Sequence, residues 1–348
     1  MGLTKDCGID LHAKWPKGTY NKITDVPGVK VAHVTIQDGD INTGVTAILP
    51  HTGNMFRDKV AAGAAVINGF GKSTGLIQIK ELGNIETPII MTNTLSVGTA
   101  QDALVRYMLR QNADIGTTSG TVNCVVTECN DGRLNDIRGL HVKDKDVFEA
   151  LDKAERADAD FEEGAVGSGT GMCCLGFKGG IGSSSRLIRL DDQDYVLGSL
   201  VMTNFGEAGN LVVGSDRVGA RTKEELQSRM TRDKGSIIMI IATDIPMTAR
   251  QLERTARRGA ISLGRTGSYM ANGSGDIAIA FSTANRMPHD RKSAFVDVKA
   301  LFEDDIDKVF EATAESIEES IISSLYHAKT TRGVRGSVYY SLREFIEK

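Results

Sequence analysis

Lys234-Gly235-Ser236-Ile237-Ile238-Met239-Ile240-Ile241-Ala242-Thr243-Asp244 joins a charged segment to a β-branched run through one glycine and one serine. A short apolar run of this kind, bounded by turn signals, reads as a strand buried on both faces. A strand buried on both faces requires layers above and below it, so this run already points to a layered α/β fold. It also sets up chemistry. If the Gly235–Ser236 bond were cut, Ser236 would carry both a hydroxyl and a free α-amine at the rigid start of a strand. An α-amine titrates at about 7.7 to 8.0, so it can accept a hydroxyl proton near neutral pH. On this segment alone, a loop running into a buried strand is the plainer account of the pattern.

Working outward, alternating strand and helix patterns run along the chain without a linker or an internal repeat. Strand-like runs are 44–49, 64–67, 89–91, 123–126, 198–203, 211–213, 236–243 and 276–282. Helical periodicity marks 99–111, 147–156, 248–258 and 305–328. In the last of these, Ile306, Phe310, Ala314, Ile317, Ile321 and Leu325 recur at three and four residues, one apolar stripe along a long helix. Thr248 with Gln251 forms a capping box and sets a helix start just after the Ser236 strand. The expected architecture is a single α/β domain over 1–348, a layered sandwich with helices outside. The stretch 222–234 is the best candidate for an exposed, cleavable loop or a frayed helix end.

Composition narrows the function. The 348 residues are 41% hydrophobic and 25% charged, ordinary for a globular protein with a large core. A net charge of −4 without any basic block argues against nucleic acid or an anionic membrane as partner. Five cysteines (Cys7, Cys124, Cys129, Cys173, Cys174) form no CxxC and no even framework, which fits reduced thiols and a cytoplasmic setting. Residues 1–16 lack the apolar core of a secretory signal. No apolar run reaches the length of a membrane span.

Several motifs fail on their chemistry. Gly71-Lys72-Ser73 lacks the glycine that a phosphate loop needs five positions earlier, where Val66 stands. Gly167-Ser168-Gly169-Thr170-Gly171 follows no clear strand and reads as a tight turn that can line a pocket, not a dinucleotide site. The six histidines are scattered, without HxH or HxxxH, so no metal and no cofactor is expected. Two polar groups at strand mouths remain. Ser274 and Asp276 open the run Ile277–Ser282 and, being i and i+2, point the same way in an extended chain. They read either as a hydrogen-bond relay to Ser236 or as a turn with an Asx-type bond. Asn204 closes the run Leu200–Thr203, where its amide can steady an oxyanion or simply make a turn.

These residues carry a resemblance. The chain resembles the L-aminopeptidase/D-esterases and β-peptidyl aminopeptidases of the DmpA family, self-cleaving serine hydrolases of the N-terminal-nucleophile type. The similarity runs through Ile23-Thr24-Asp25-Val26-Pro27-Gly28-Val29, Val66-Ile67-Asn68-Gly69-Phe70-Gly71-Lys72, Thr92-Asn93-Thr94-Leu95-Ser96-Val97-Gly98, Leu134-Asn135-Asp136, Gly169-Thr170-Gly171-Met172, Asn204-Phe205-Gly206, Gly235-Ser236-Ile237-Ile238 and Asn272-Gly273-Ser274-Gly275-Asp276.

The resemblance implies a four-layer αββα sandwich shared with the ornithine acetyltransferases, and cleavage at Gly235–Ser236 into 1–235 and 236–348. It implies Ser236 as nucleophile, Asn204 as the oxyanion amide, and Ser274 with Asp276 as the serine–acid pair. Peptide, amide or ester substrates and homo-oligomers, often tetramers, follow from it too. An aminopeptidase must also hold the substrate ammonium, for which Glu128 or Asp276 is available. Arg133 stands where some relatives carry an aromatic residue; it implies carboxylate recognition at the far end of the substrate, or else a surface arginine. An acyltransferase on the same fold and an unprocessed binding protein are the alternatives.

Overall fold

The run that begins at Ser236 is a strand, Ser236–Thr243, with every residue buried. Its isoleucines alternate between two cores. Ile237, Met239 and Ile241 pack among helices, while Ile238, Ile240 and Ala242 pack against a second sheet. Each such side chain contributes about 1.5 to 3 kcal/mol on burial, which is why a run apolar on both faces settles in the middle of the molecule.

The computed structural model describes residues 9–222, 226 and 235–346. In chain order it contains β1 (Lys30–Asp38), β2 (Ile41–Leu49), β3 (Asp58–Gly69), α1 (Leu76–Leu82), β4 (Asn84–Ile85), β5 (Ile89–Asn93), α2 (Val97–Gln111), β6 (Val125–Cys129) and α3 (Asp144–Arg156). There follow β7 (Cys173–Cys174), β8 (Phe177–Lys178), β9 (Gly180–Leu190), β10 (Gln193–Asn204), α4 (Val218–Thr222) and β11 (Ser236–Thr243). The chain continues with α5 (Ala249–Ala256), α6 (Gly259–Arg265), β12 (Gly275–Pro288), α7 (Ile306–His327), β13 (Thr331–Arg332), β14 (Val338–Tyr339) and α8 (Arg343–Ile346).

Two sheets carry the fold, one in the order β1-β2-β5-β6 and one in the order β4-β3-β12-β11-β10-β9. Val31, Ile48, Ile89 and Met91 of the first meet Leu200, Met202, Ile238, Ile240, Ile279 and Phe281 of the second in a common core. The outer face of the four-stranded sheet packs on α2 and α3 through Leu104, Val147 and Leu151. The outer face of the six-stranded sheet packs on α5, α6 and α7 through Leu252, Leu263, Ile317 and Ile321. The layers are therefore α, β, β, α, as expected.

Local signals in the sequence set the boundaries. Thr248 caps α5, its hydroxyl accepting from the Gln251 N–H at 3.3 Å while the Gln251 side chain accepts from the Thr248 N–H at 3.1 Å. The stripe expected over 305–328 is α7, and this helix approaches the sheet closely. A Cβ at Gly182 on β9 would lie 1.9 Å from the Ser320 carbonyl oxygen, so only glycine fits there. One expectation fails: 211–213 is not a strand. Val213 makes a single bridge to Asp216, three residues on in the same turn, and no neighbouring strand pairs with 211–213 among the described residues. Cys7 and most of the 222–234 stretch lie outside the described residues. Cys124, Cys129, Cys173 and Cys174 are buried thiols outside any disulfide among the described residues.

At the edge of the first sheet, His33 contacts Thr46 Oγ1 through Nδ1 at 2.9 Å. Burial, aided by the Lys22 charge, holds its imidazole down to about 4 from 6.5. Between those two values the unfolded chain binds a proton that the folded chain refuses, so stability falls as pH drops through that window. His33→Gln should flatten part of that fall, read as the urea midpoint measured from pH 6.5 down to 4. Parallel curves for the two proteins would refute it.

Candidate active site

Strand register assembles the site. β10 and β11 run antiparallel with Asn204 opposite Ser236, and β11 and β12 run parallel with Ser236 beside Gly275. Gly275 in turn lies opposite Gly69 on β3. Asn204, Ser236, Gly275 and Gly69 thus form one row across the end of the six-stranded sheet. Ser236 shares its face with Ile238 and Ile240, so it faces the gap between the two sheets.

Each position in the row has a local cause. A Cβ at Gly235 would lie 1.6 Å from the Asn204 carbonyl oxygen, so only glycine lets the chain enter β11 here. A Cβ at Gly275 would lie 2.6 Å from the Phe70 carbonyl oxygen, and its absence lets the Phe70–Gly71 turn close over the row. Ser236 is 6% exposed, and its Oγ accepts from the Gly275 N–H at 3.3 Å. The bond leaves the hydroxyl proton and a second lone pair free for chemistry.

The Asn204 amide is pinned on both sides. Its Oδ1 accepts from the Cys173 N–H at 3.0 Å and its Nδ2 donates to the Asn130 carbonyl at 2.9 Å. A main-chain N–H can meet only the oxygen and a carbonyl only the nitrogen, so the two partners fix which way the amide points. The second N–H of Nδ2 remains to be directed by that orientation.

Ser274 Oγ donates to Asp276 Oδ1 at 2.6 Å, a short charge-assisted bond within the mouth of β12. The serine–acid pair expected from the sequence is therefore formed. It does not reach Ser236 as a direct relay: the Ser274 hydroxyl is committed to Asp276, and the Ser236 hydroxyl meets the intervening Gly275 main chain. A register break against β3 between Asp276 and Ile277 disturbs the strand at this point.

Glu128, near the end of β6 in the facing sheet, is 2% exposed. Its carboxylate accepts from the Lys72 N–H at 2.8 Å and from the Thr94 hydroxyl. Gly71 stands between that carboxylate and β12, since a Cβ there would lie 3.7 Å from Glu128 Oε1 and 3.9 Å from Gly275 Cα. Burial first, then the charges of Glu128 and Asp276, push the Cys129 thiol well above its ordinary value, so both carboxylates border the same thiol. Arg133 is half-buried, three residues past the Asn130 carbonyl that holds Asn204. Its own carbonyl is tied to Ser337 Oγ at 2.9 Å, and among the described residues its guanidinium has no carboxylate partner.

The sequence did not reveal the Cys173 N–H or the Asn130 carbonyl as parts of the site. Both are main-chain groups, so residue identity carries no sign of them.

A sequence model of peptidase family S58 matches residues 21–339. A β-peptidyl aminopeptidase (BapA) of Sphingosinicella microcystinivorans is 37% identical over 354 residues, covering 95% of this chain and 87% of that protein. Among solved structures, the PH0078 protein of Pyrococcus horikoshii OT3 superposes with a TM-score of 0.92 at 51% identity, over 100% of this chain and 98% of the other. The L-aminopeptidase D-Ala-esterase/amidase of Ochrobactrum anthropi, described as a prototype of the serine aminopeptidases and a variant of the Ntn hydrolase fold, superposes with a TM-score of 0.90 at 35% identity, over 98% and 96%. The chain belongs to peptidase family S58 and is a hydrolase of the serine aminopeptidase type with the Ntn-variant fold.

Proposed function

We propose that this chain cuts its own Gly235–Ser236 bond, leaving 1–235 and 236–348 in one folded unit, and then releases amino-terminal residues from short peptides, amides or esters through an acyl-enzyme on Ser236. The observation that carries this reading is the row Asn204–Ser236–Gly275, which sets a hydroxyl, an oriented amide and a main-chain donor side by side.

In the uncut chain Ser236 Oγ attacks the Gly235 carbonyl carbon, the C–N bond breaks, and the acyl group moves to oxygen as an ester. The Ser236 α-amine is freed as that C–N bond breaks, and water then hydrolyses the ester, releasing the Gly235 carboxylate and restoring the Ser236 hydroxyl. The Ser236 nitrogen is still an amide at the first cut and cannot act as the base. The Ser274–Asp276 pair flanks the Gly275 that meets the Ser236 hydroxyl and would supply the acid–base group at that stage through an intervening water molecule. Once cut, the α-amine takes the hydroxyl proton as Ser236 attacks a substrate carbonyl, and the Asn204 amide steadies the oxyanion. The leaving amine or alcohol takes that proton, and a water molecule restores the enzyme.

Glu128 would hold the substrate ammonium, because it is a buried carboxylate already oriented by two donors at the gap between the sheets. Arg133 would hold the far carboxylate of a short peptide. Arg133→Ala should raise KM for a dipeptide about tenfold while leaving a dipeptide amide unaffected; equal effects on both would discard the assignment. The buried thiols, kept out of disulfides, support a cytoplasmic setting, and among the described residues no helix is long and apolar enough to cross a membrane. Homotetrameric assembly belongs to the same reading. It is supported by the exposed apolar residues Phe295, Val296, Val298 and Phe302, which a subunit contact would cover, and sedimentation measures it.

The direct test is the mass of the purified protein under denaturing conditions. Two pieces in proportion to 235 and 113 of the 348 residues, about 25 and 12 kDa of the 37.4 kDa chain, with Ser236 at the new amino terminus, are expected. A single chain without serine-directed labelling would overturn the reading.

A further inference from the structure

Lys178 on β8 is fully buried, and its Nζ donates to three carbonyls: Gly169 at 3.0 Å, Met172 at 2.8 Å and Gly179 at 2.7 Å. An ammonium has three hydrogens, and all three are used. Among the described residues no carboxylate lies within ion-pair distance of it. A buried cation without a contact counter-ion is costly, and a methylene chain of the same volume would fill the space without that cost. The cation is retained at a particular place. Two of its carbonyls, Gly169 and Met172, belong to the glycine-rich turn that runs directly into Cys173.

Cys173 is also the register partner of Lys178, and its N–H is the group that holds Asn204 Oδ1. The turn is confined from the other side as well: a Cβ at Gly171 would lie 2.2 Å from the Asn42 carbonyl oxygen. The turn is thus held between β2 and the Lys178 ammonium. Movement of Cys173 would release one of the two anchors of the Asn204 amide.

We infer that Lys178 is a positioning residue for the reaction: by clamping the Gly169–Cys173 turn it fixes the orientation of the Asn204 amide toward the carbonyl under attack. The inference rests on the reading of Asn204 as the oxyanion amide. Burial lowers the Lys178 ammonium to about 8, with Cys173, Asp131 and Cys174 as the charges that oppose the shift, so the cation is still present at neutral pH.

The experiment is a double-mutant cycle on the mature enzyme, with active sites counted by a serine-directed label and folding checked by circular dichroism. The substrate is an amino-acyl p-nitroanilide. Lys178→Met should lower kcat about tenfold with little change in KM, Lys178→Gln should lose less, and Lys178→Met added to Asn204→Ala should cost nothing further, the signature of coupled residues. An unchanged kcat in folded Lys178→Met, or full additivity with Asn204→Ala, overturns the inference. So does failure of both Lys178 variants to fold, which would make the clamp purely structural. If Asn204→Ala itself retains full kcat, the oxyanion reading falls, and that result is distinct from a silent Lys178 variant beside an impaired Asn204 variant.

Discussion

Ser236→Ala is expected to leave one uncut chain of 37.4 kDa with no measurable aminopeptidase activity, a loss of about 10⁶ in kcat, the size found when a hydrolase loses its nucleophile. The same oxygen serves both steps, so cleavage and turnover should vanish together. The fold should survive. Among the described residues the Ser236 side chain donates no bond, and its hydroxyl merely accepts one 3.3 Å bond from the Gly275 N–H, so the stability change should be within about 1 kcal/mol. The wild-type pieces should stay together after the cut. In the order β4-β3-β12-β11-β10-β9, the later piece supplies β11 and β12 and the earlier piece supplies the strands on either side. Separating them would strip two buried ladders at once. Denaturing mass spectrometry should therefore show two species where gel filtration shows one. Activity in Ser236→Ala, or cleavage at its usual site, would remove Ser236 from both roles.

The central strand was readable because nothing in its sequence competes with burial: the run expected over 236–243 is the strand Ser236–Thr243. β9 was not readable. Its Gly180-Ile181-Gly182-Ser183-Ser184-Ser185-Arg186 looks like a loop, yet all seven residues are buried, because distant groups satisfy the polar ones: α7 meets Ser184 and Arg186, while Glu163, Asn21 and Asp25 meet Ser183 and Ser185. Ser184 Oγ donates to the Ser316 carbonyl at 2.7 Å, and Arg186 pairs with Glu319 at 2.8 Å. The partners lie more than 130 positions away, beyond any local pattern. β1, an edge strand, does carry the half-buried alternation, Ala32, Val34 and Ile36 against His33, Thr35 and Gln37, so it was missed and not hidden.

The site shows the same division. Spacing put Ser274 and Asp276 on one side of an extended strand and left relay or turn open; the resemblance paired them, and the bond between them is there. That Asn204 lies beside Ser236 depends on the register between β10 and β11, which residue types do not encode over 32 positions; the amide at a strand end was one of two open readings until the ladder aligned them. Lys178 stood in plain view in an apolar, glycine-rich stretch. Its significance lies in carbonyls, and carbonyls are the same in every residue.

Asn204→Ala is expected to lower kcat by about 10² to 10³ with a small change in KM, because under the proposed function the amide stabilises charge that exists only in the transition state. Self-cleavage should slow by a similar factor, since the same oxyanion forms on the Gly235 carbonyl. The geometry also separates orientation from mere polarity. In Asn204→Asp a carboxylate oxygen would replace Nδ2 and face the Asn130 carbonyl, 2.9 Å away in the wild type, while the other oxygen keeps the Cys173 N–H. Two acceptors would then oppose each other, and a negative charge would sit where the oxyanion must form. Asn204→Asp should therefore be worse than Asn204→Ala, although it is the closer match in shape. A residue kept only for its place in a turn predicts the opposite order, with aspartate tolerated and alanine impaired. Single-turnover kinetics of the cut and steady-state kcat of the mature enzyme, measured for both variants, decide between the two.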